Sequence, residues 1–265
     1  DQGMGAAAAT FGYRLGMLAS GAGALYLADR IGWAGTYHSM AAILLGGVVL
    51  TLLLKPTPQG QPTGNRLGIR AFLSTYVLDP LRDFTTRPLW LAVLAFVVLY
   101  KLGDAFMGIM FNPFLLDLGF TKSQIAQVVK LYGLVATLLG TFAGGWMVRR
   151  AGTFRTLFLC GLFHMLTNFL LVVQAQRGAD LSFLTLSISL ENFTGGMSTA
   201  AFIAYLSALC RVNYTATQYA LLSSLAALWR AWLSTPSGSL AQAVGWEMFF
   251  LIASLIAVPG LIVLL

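Results

Sequence analysis

The chain is written in long apolar runs separated by short polar turns. Eight runs have the make-up of membrane-crossing helices, at residues 5–28, 37–54, 89–116, 122–147, 154–175, 181–209, 216–242 and 247–265. A helix needs roughly 20 apolar residues to cross a bilayer. Glycines recur inside these runs. Gly12, Gly16, Gly21 and Gly23 in the first give a surface on which helices can approach closely. Segment 55–88 breaks the rhythm. It opens on Lys55-Pro56-Thr57-Pro58, passes Gly60, Pro62 and Gly64, and then reads as a short amphipathic helix over Leu67–Asp83. It divides two runs from six. The pattern predicts an all-α fold, a polytopic membrane helix bundle with eight transmembrane helices present.

Composition agrees. Of 265 residues, 58% are hydrophobic and 9% charged, with a mean hydropathy of +0.79; soluble domains carry about 25% charged residues. The net charge of +7 forms no stripe of the kind nucleic acid binds. The basic residues sit between apolar runs, as topology signals do. With segment 55–88 on the cytoplasmic side, that side holds nine: Lys55, Arg66, Arg70, Arg82, Arg87, Arg149, Arg150, Arg155 and Arg211. The opposite turns hold three, Arg30, Lys122 and Arg177. The two cysteines, Cys160 and Cys210, read as small buried residues. His38 and His164 are isolated in sequence, and no Cys/His cluster has metal-ligand spacing. There is no nucleophile elbow and no phosphate-cradling loop, which argues against an enzyme or an ATP-driven motor. No cofactor is expected.

A faint internal repeat is present. Leu27-Ala28 precedes Gly32-Trp33, with Tyr37 four residues after the tryptophan; Leu240-Ala241 precedes Gly245-Trp246, with Phe250 four after. The pattern fits two six-helix halves related by an axis along the membrane normal. It places residues 1–54 as the last two helices of an N-terminal bundle, 55–88 as a cytoplasmic inter-bundle loop and 89–265 as a C-terminal six-helix bundle. On that reading the chain is a piece of a longer protein, with four helices before residue 1.

Six ionisable residues fall inside spans: Arg14, Lys101, Asp104, Lys130, Glu191 and Arg230. Charge at membrane depth costs at least ~2.5 kcal/mol, so such residues face protein or water and mark substrate or proton pathways. Lys101 lies twelve residues past Leu89, hence ~18 Å along a helix and near mid-bilayer. Asp104, three residues on, shares its face. Such a pair reads either as a structural lock or as a substrate or proton site. Asp104 and Glu191 are the proton-coupling candidates. Lys101, Lys130, Arg14, Arg230, Asn192 and Tyr100 are the substrate-binding candidates. The cationic surplus suits an anionic substrate. Gly195-Gly196, just beyond, reads as a close-packing site or a bend.

The turn Gly144-Gly145-Trp146-Met147-Val148-Arg149-Arg150-Ala151-Gly152-Thr153-Phe154-Arg155 resembles the short cytoplasmic-loop signature of the major facilitator superfamily, through Gly145, Arg149, Arg150, Gly152 and Arg155. The acidic residue usual in that signature is absent. Further stretches resemble the AmpG muropeptide permease family within that superfamily: Gly12-Tyr13-Arg14-Leu15-Gly16, Pro80-Leu81-Arg82-Asp83-Phe84, Leu99-Tyr100-Lys101-Leu102-Gly103-Asp104-Ala105-Phe106, Glu191-Asn192-Phe193-Thr194-Gly195-Gly196 and Ala216-Thr217-Gln218-Tyr219. The resemblance implies a bundle of twelve or more helices and a proton-linked importer of the bacterial inner membrane. Its substrates would be N-acetylglucosaminyl-anhydro-N-acetylmuramyl peptides, for peptidoglycan recycling and with an influence on β-lactamase induction. The partners implied are that glycopeptide, protons and the lipid bilayer, without nucleic acid, in a monomer. Carriers of other anionic solutes, such as acetyl-coenzyme A or siderophores, resemble the same group. A membrane signalling or scaffold protein that kept the fold is the remaining alternative.

Overall fold

The computed structural model describes residues 8, 11–13, 15–17, 19–53, 74–211 and 215–264, and all the regular structure among them is helical. Arg14 and the first part of the polar segment, 55–73, lie outside the described residues, as does the side chain of Lys130. The chain divides into two compact units that change over between Arg66 and Leu67.

In the first unit a π-helical turn, Ala19–Gly23, leads into α1 (Ala24–Leu53). Gly32, at φ 71° and ψ 169°, turns a corner inside α1. Only glycine enters that backbone region without strain. Beyond the corner the rings of Trp33 and Tyr37 lie 6.1 Å apart. Arg30–Leu53 is long and apolar enough to cross a membrane, and only 6% of its most apolar window is buried within the chain.

The second unit opens with a π-helical turn, Ser74–Leu78, and α2 (Asp79–Thr85). Pro80 stands in the first turn of α2, where its missing N–H leaves no bond unmade. The amphipathic helix expected to end at Asp83 therefore runs two residues further, and its described start is a π-turn. The run 89–116 is not one helix but α3 (Trp90–Leu99) and α4 (Leu102–Asp117), broken at Tyr100 and Lys101, with Lys101 at φ −106° and ψ 4°. The reason lies in packing that the run itself cannot show. The backbones of α10 (Ser237–Leu255) and α11 (Ala257–Leu264) press on either side of the break. A Cβ on Gly260 would sit 3.0 Å from the Tyr100 nitrogen, and one on Gly103 would sit 2.8 Å from the Ala253 carbonyl oxygen.

The next expected span, 122–147, begins as α5 (Lys122–Gln127) under a capping box. The Gln124 N–H donates to Thr121 Oγ1 (3.2 Å) and the Thr121 N–H donates to Gln124 Oε1 (2.9 Å). A π-turn at Val128–Tyr132 then passes into α6 (Gly133–Ala151). Gly152, at φ 81° and ψ 165°, is the whole corner between α6 and α7 (Thr153–Arg177). α8 (Leu181–Leu209) follows, its first turn capped by Asp180, which accepts from the Phe183 N–H at 3.0 Å. α9 (Thr215–Leu233) stops short of the expected 216–242, because Ser234–Pro236 forms a turn and Pro236 brings no N–H to a continuing helix. Gly245, at φ 78° and ψ 169°, makes the second corner expected between 242 and 247. There Trp246 and Phe250 lie 6.2 Å apart, matching the ring pair after Gly32.

α6 and α8 make the closest helix contact. A Cβ on Gly140 would collide with the Phe193 carbonyl, one on Gly196 with the Thr137 carbonyl, and one on Gly144 would lie 2.6 Å from the Met197 oxygen. α8 runs unbroken through Gly195-Gly196, so that pair serves packing rather than a bend. Such contact between backbones is how small residues hold helices together in lipid.

The apolar core falls into two clusters. One joins Phe106, Phe114, Leu171, Leu184, Ile188 and Phe250; the other joins Phe96, Tyr100, Leu157, Phe202, Tyr205 and Leu261. α3 feeds one and α4 the other. α7 gives Leu157 to one and Leu171 to the other, and α8 gives Leu206 and Leu184. On every one of these helices the stretch between is polar: Lys101 and Asp104, His164 and Thr167, Glu191 to Ser198. A polar layer thus crosses the bundle between its two apolar clusters. Trp90–Asp117, Thr153–Arg177 and Ser237–Leu264 also meet the length and apolarity of a membrane span.

Candidate functional site

The polar layer is built around Asp104. It stands in the first turn of α4, just past the break. Its Oδ2 accepts from Lys101 Nζ at 2.8 Å, and its Oδ1 lies 2.8 Å from His164 Nε2. Lys101 Nζ reaches on to Thr199 Oγ1 (3.2 Å) and Ser198 Oγ (3.4 Å) on α8. His164 Nδ1 lies 3.2 Å from Thr194 Oγ1, and Thr194 Oγ1 lies 2.8 Å from Thr167 Oγ1. A continuous polar chain therefore runs from Thr167 through Thr194, His164 and Asp104 to Lys101, tying α4, α7 and α8. His164 is 7% exposed and Lys101 13%, whereas the Asp104 side chain is 29% exposed. The carboxylate is the accessible member.

It is accessible to a cavity. A space of about 310 Å³ between α4 and α9 is lined by Asp104, Ala105, Gly108, Arg230 and Ser234. The break makes this possible: it turns Lys101 toward α8 while Asp104 keeps one edge on the cavity. Non-helical backbone at membrane depth occurs in transporters where it lines such a space.

Among the residues singled out in the sequence, Lys101, Asp104 and Arg230 come together here. Tyr100 is fully committed. Its hydroxyl donates to the Leu157 carbonyl (3.0 Å) and accepts from Ser198 Oγ (3.0 Å), and its ring stacks on Phe202. Asn192 bridges α6 and α8: Oδ1 accepts from Thr137 Oγ1 (3.0 Å) and Nδ2 donates to Glu191 Oε2 (2.9 Å). Glu191 is half-buried one turn before Thr194. Lys130 sits on the π-turn Val128–Tyr132, and such bulges are frequent at functional sites. Arg149 and Arg150 lie in the last turn of α6, where cations complement the helix dipole. Arg150 covers the Trp146 ring at 5.5 Å. Gly145 is buried and Arg155 is exposed on the first turn of α7. His164 is not isolated in space, which corrects the sequence reading. The signal for it was Thr167 and Asn168, three and four residues on, which give α7 a polar stripe.

A second charged cluster lies at α2. Asp83 accepts from Arg87 Nη2 (2.7 Å), Arg211 Nη1 (2.5 Å) and Gln218 Nε2 (3.0 Å). Arg87 also donates to the Leu209 carbonyl at the end of α8, and Gln218 Oε1 accepts from the Arg211 N–H (2.9 Å). The Arg87 hydrogen bond holds the Asp83 carboxyl below its ordinary value of 3.8, with Gln218 and the arginine charges adding to it against the opposing effect of burial. Cys160 and Cys210 are both free thiols, the first buried and the second half-buried.

The fold defines a polytopic helical bundle of the membrane-spanning class, with a charged layer bordering a cavity. Comparison with known proteins gives the family. Residues 1–234 match the Major Facilitator Superfamily, and the chain belongs to it. It is 38% identical over 266 residues to "Putative transporter AmpG 4" of Rickettsia conorii, covering all of this chain and 64% of that protein. It is 39% identical over 267 residues to "Anhydromuropeptide permease" of Escherichia coli K12, covering all of this chain and 53% of that one. "Putative transporter AmpG 1" of Rickettsia bellii is 33% identical over 262 residues, covering 96% of this chain and 63% of that protein. The chain thus spans between half and two thirds of the length of these relatives. Each of them carries the name of a transporter or a permease.

Proposed function

We propose that this chain is the larger part of a proton-coupled secondary transporter. It imports N-acetylglucosaminyl-anhydro-N-acetylmuramyl peptides across the bacterial inner membrane, working as a monomer. The observation that carries the reading is Asp104, held by Lys101 and His164 beside a broken spanning helix, with one edge on a cavity that Arg230 also lines. The name of the Escherichia coli relative supplies the substrate class. Its peptide carboxylates suit a cavity with a cation at its wall. At about 310 Å³ the cavity seats one group of so large a substrate, not the whole. The excess of basic residues on the side of segment 55–88 makes that side cytoplasmic, and import runs toward it.

Uptake of a radiolabelled anhydromuropeptide by cells expressing the full-length parent tests this. The wild type should accumulate it, and both a protonophore and Asp104→Asn should abolish accumulation. Uptake that survives the protonophore removes the coupling. A wild type that carries acetyl-coenzyme A or a siderophore but not the glycopeptide removes the substrate.

A further inference from the structure

A proton-coupled carrier needs a group whose two protonation states are both tolerated at one place. Asp104 does not meet that need well, because Lys101 Nζ lies on one oxygen at 2.8 Å and His164 Nε2 on the other at 2.8 Å, so both already accept. His164 does meet it. A hydrogen occupies the line from Nε2 to Oδ1, which leaves Nδ1 as the variable nitrogen. Nδ1 faces the Thr194 hydroxyl, whose neighbours are Nδ1 (3.2 Å), Thr167 Oγ1 (2.8 Å), the Leu190 carbonyl (3.0 Å) and the Glu191 carbonyl (3.1 Å). With Nδ1 bare, Thr194 donates to it. With Nδ1 protonated, the Thr194 hydrogen swings to Leu190 or Glu191 and its oxygen accepts from Nδ1. Thr167 follows either way, since it can donate to Thr194 or to the His164 carbonyl at 2.9 Å. Both states satisfy every polar group by rotating two hydroxyls, with no heavy atom displaced.

We propose that His164 carries the coupled proton on Nδ1, and that Asp104 is the positioning group that fixes the ring through Nε2. This deepens the transport reading above and rests on it. The step is simple: an N–H bond forms at Nδ1 from a solvent proton, and the same proton leaves on the other side of the cycle. The groups facing the ring are Asp104 and Lys101 at the break and Thr194 and Glu191 on α8, with Cys160 one turn away on α7. α10 and α11 bring only Glu247, which bonds Gln176 at the other end of α7, and the arginines of α6 lie beside Gly152. Lys101 and Asp104 balance each other, so protonation of His164 makes the site more positive by one charge. A carboxylate-bearing substrate is then bound more tightly, and by linkage substrate raises proton affinity equally.

The test uses the full-length parent in lipid. In substrate-free nanodiscs, 15N-histidine NMR should show the His164 signal, assigned through its loss in His164→Gln, gaining a proton at Nδ1 over about pH 5 to 8. In proteoliposomes, His164→Gln should lose proton-driven accumulation of the labelled anhydromuropeptide about tenfold more than it loses counterflow exchange. Thr194→Val removes the hydroxyl partner and should displace the pH profile of accumulation without abolishing exchange. A His164 signal that stays in one state across that range overturns the proposal, as does His164→Gln with wild-type accumulation. The NMR measurement needs no substrate, so a wild type that fails to carry the glycopeptide overturns only the substrate reading.

Discussion

Two carboxylates in this chain are held in nearly the same way but by different kinds of cation. Asp83, at the α2 edge, and Asp104, in the middle of the bundle, each accept from two basic side chains, one near in sequence and one distant. At Asp83 both partners are arginines, charged at any physiological pH. Gln218, 2% exposed, adds a third donor to the carboxylate and also donates to the Pro80 carbonyl at 3.1 Å. Nothing in that cluster can change charge near neutrality, so it fastens α2 to the α8–α9 turn. At Asp104 the distant partner is a histidine, and the carboxylate keeps an edge on a cavity. Exchanging arginine for histidine puts beside the carboxylate a partner of the kind that titrates near neutrality. What matters is which cation holds the carboxylate, not how many.

The sharpest way to break this comparison is to neutralise each carboxylate in turn. Asp104→Asn leaves Lys101 buried without its counter-charge, a change that costs about 3–5 kcal/mol where a buried pair is broken. On the transport reading, uptake by the full-length parent should be abolished, since an ionisable group inside the membrane marks a candidate transport path. Asp83→Asn keeps one oxygen and its shape. It should reduce thermal stability in lipid while leaving the uptake rate within a few-fold of wild type. Equal loss of uptake in both variants would end the distinction.

How much of this was legible is best seen residue by residue. Lys101 and Asp104 stand out because charge three residues apart inside an apolar run has few bland explanations. The two Gly-Trp corners were visible as a repeated pattern, and the backbone bears the likeness out: Gly32 and Gly245 differ by only a few degrees. His164 could not be joined to Asp104, because sixty residues of chain separate them and only the packing of α7 against α4 brings them to 2.8 Å. The break at Tyr100–Lys101 was hidden for a related reason. Its own residues are ordinary helix formers, and the cause lies on α10 and α11, around Ala253 and Gly260. The interruption at Ser234–Pro236 was only half readable: Pro236 marks a candidate break, but Pro113 lies inside α4 and leaves it unbroken.

Within the α2 cluster, the two arginines should separate by an intermediate amount. Arg87 bonds Asp83 and also caps the end of α8 through the Leu209 carbonyl. Arg87→Met removes both contacts and should cost about 1.5–3 kcal/mol, the range for hydrogen bonds to charged groups. Differential scanning measurements on the lipid-embedded protein would show it. A value no larger than that of an exposed pair would mean that the cap contributes nothing.

The response to acid should differ from that of the mid-bundle site. Asp83 is held below its ordinary 3.8, so folding binds fewer protons there than unfolding does. Its contribution is fully present above pH 3.8 and fades as pH falls through the lowered folded value. The stability difference between wild type and Asp83→Asn should therefore be flat through neutrality and shrink only in strong acid. A difference that changed between about pH 5 and 8 would show a histidine-like partner instead, and the contrast with Asp104 would be lost.

Arg211→Gln should give the smallest effect, and its salt dependence is the useful reading. The Arg211 side chain is 64% exposed, although its guanidinium reaches Asp83 at 2.5 Å. Exposed pairs contribute about 0.2–1 kcal/mol, and Asp83 keeps Arg87 and Gln218 when Arg211 is lost. The Debye length contracts from ~10 Å at 0.1 M to ~3 Å at 1 M salt, so the stability gap between wild type and Arg211→Gln should close over that range. The gap for Arg87→Met should persist, because the Leu209 cap is a short, half-buried bond to a backbone oxygen rather than a screened charge pair. If salt erased both gaps alike, the α2 cluster would be held by surface charge alone, and its contact with the end of α8 would have no part in fastening the helix.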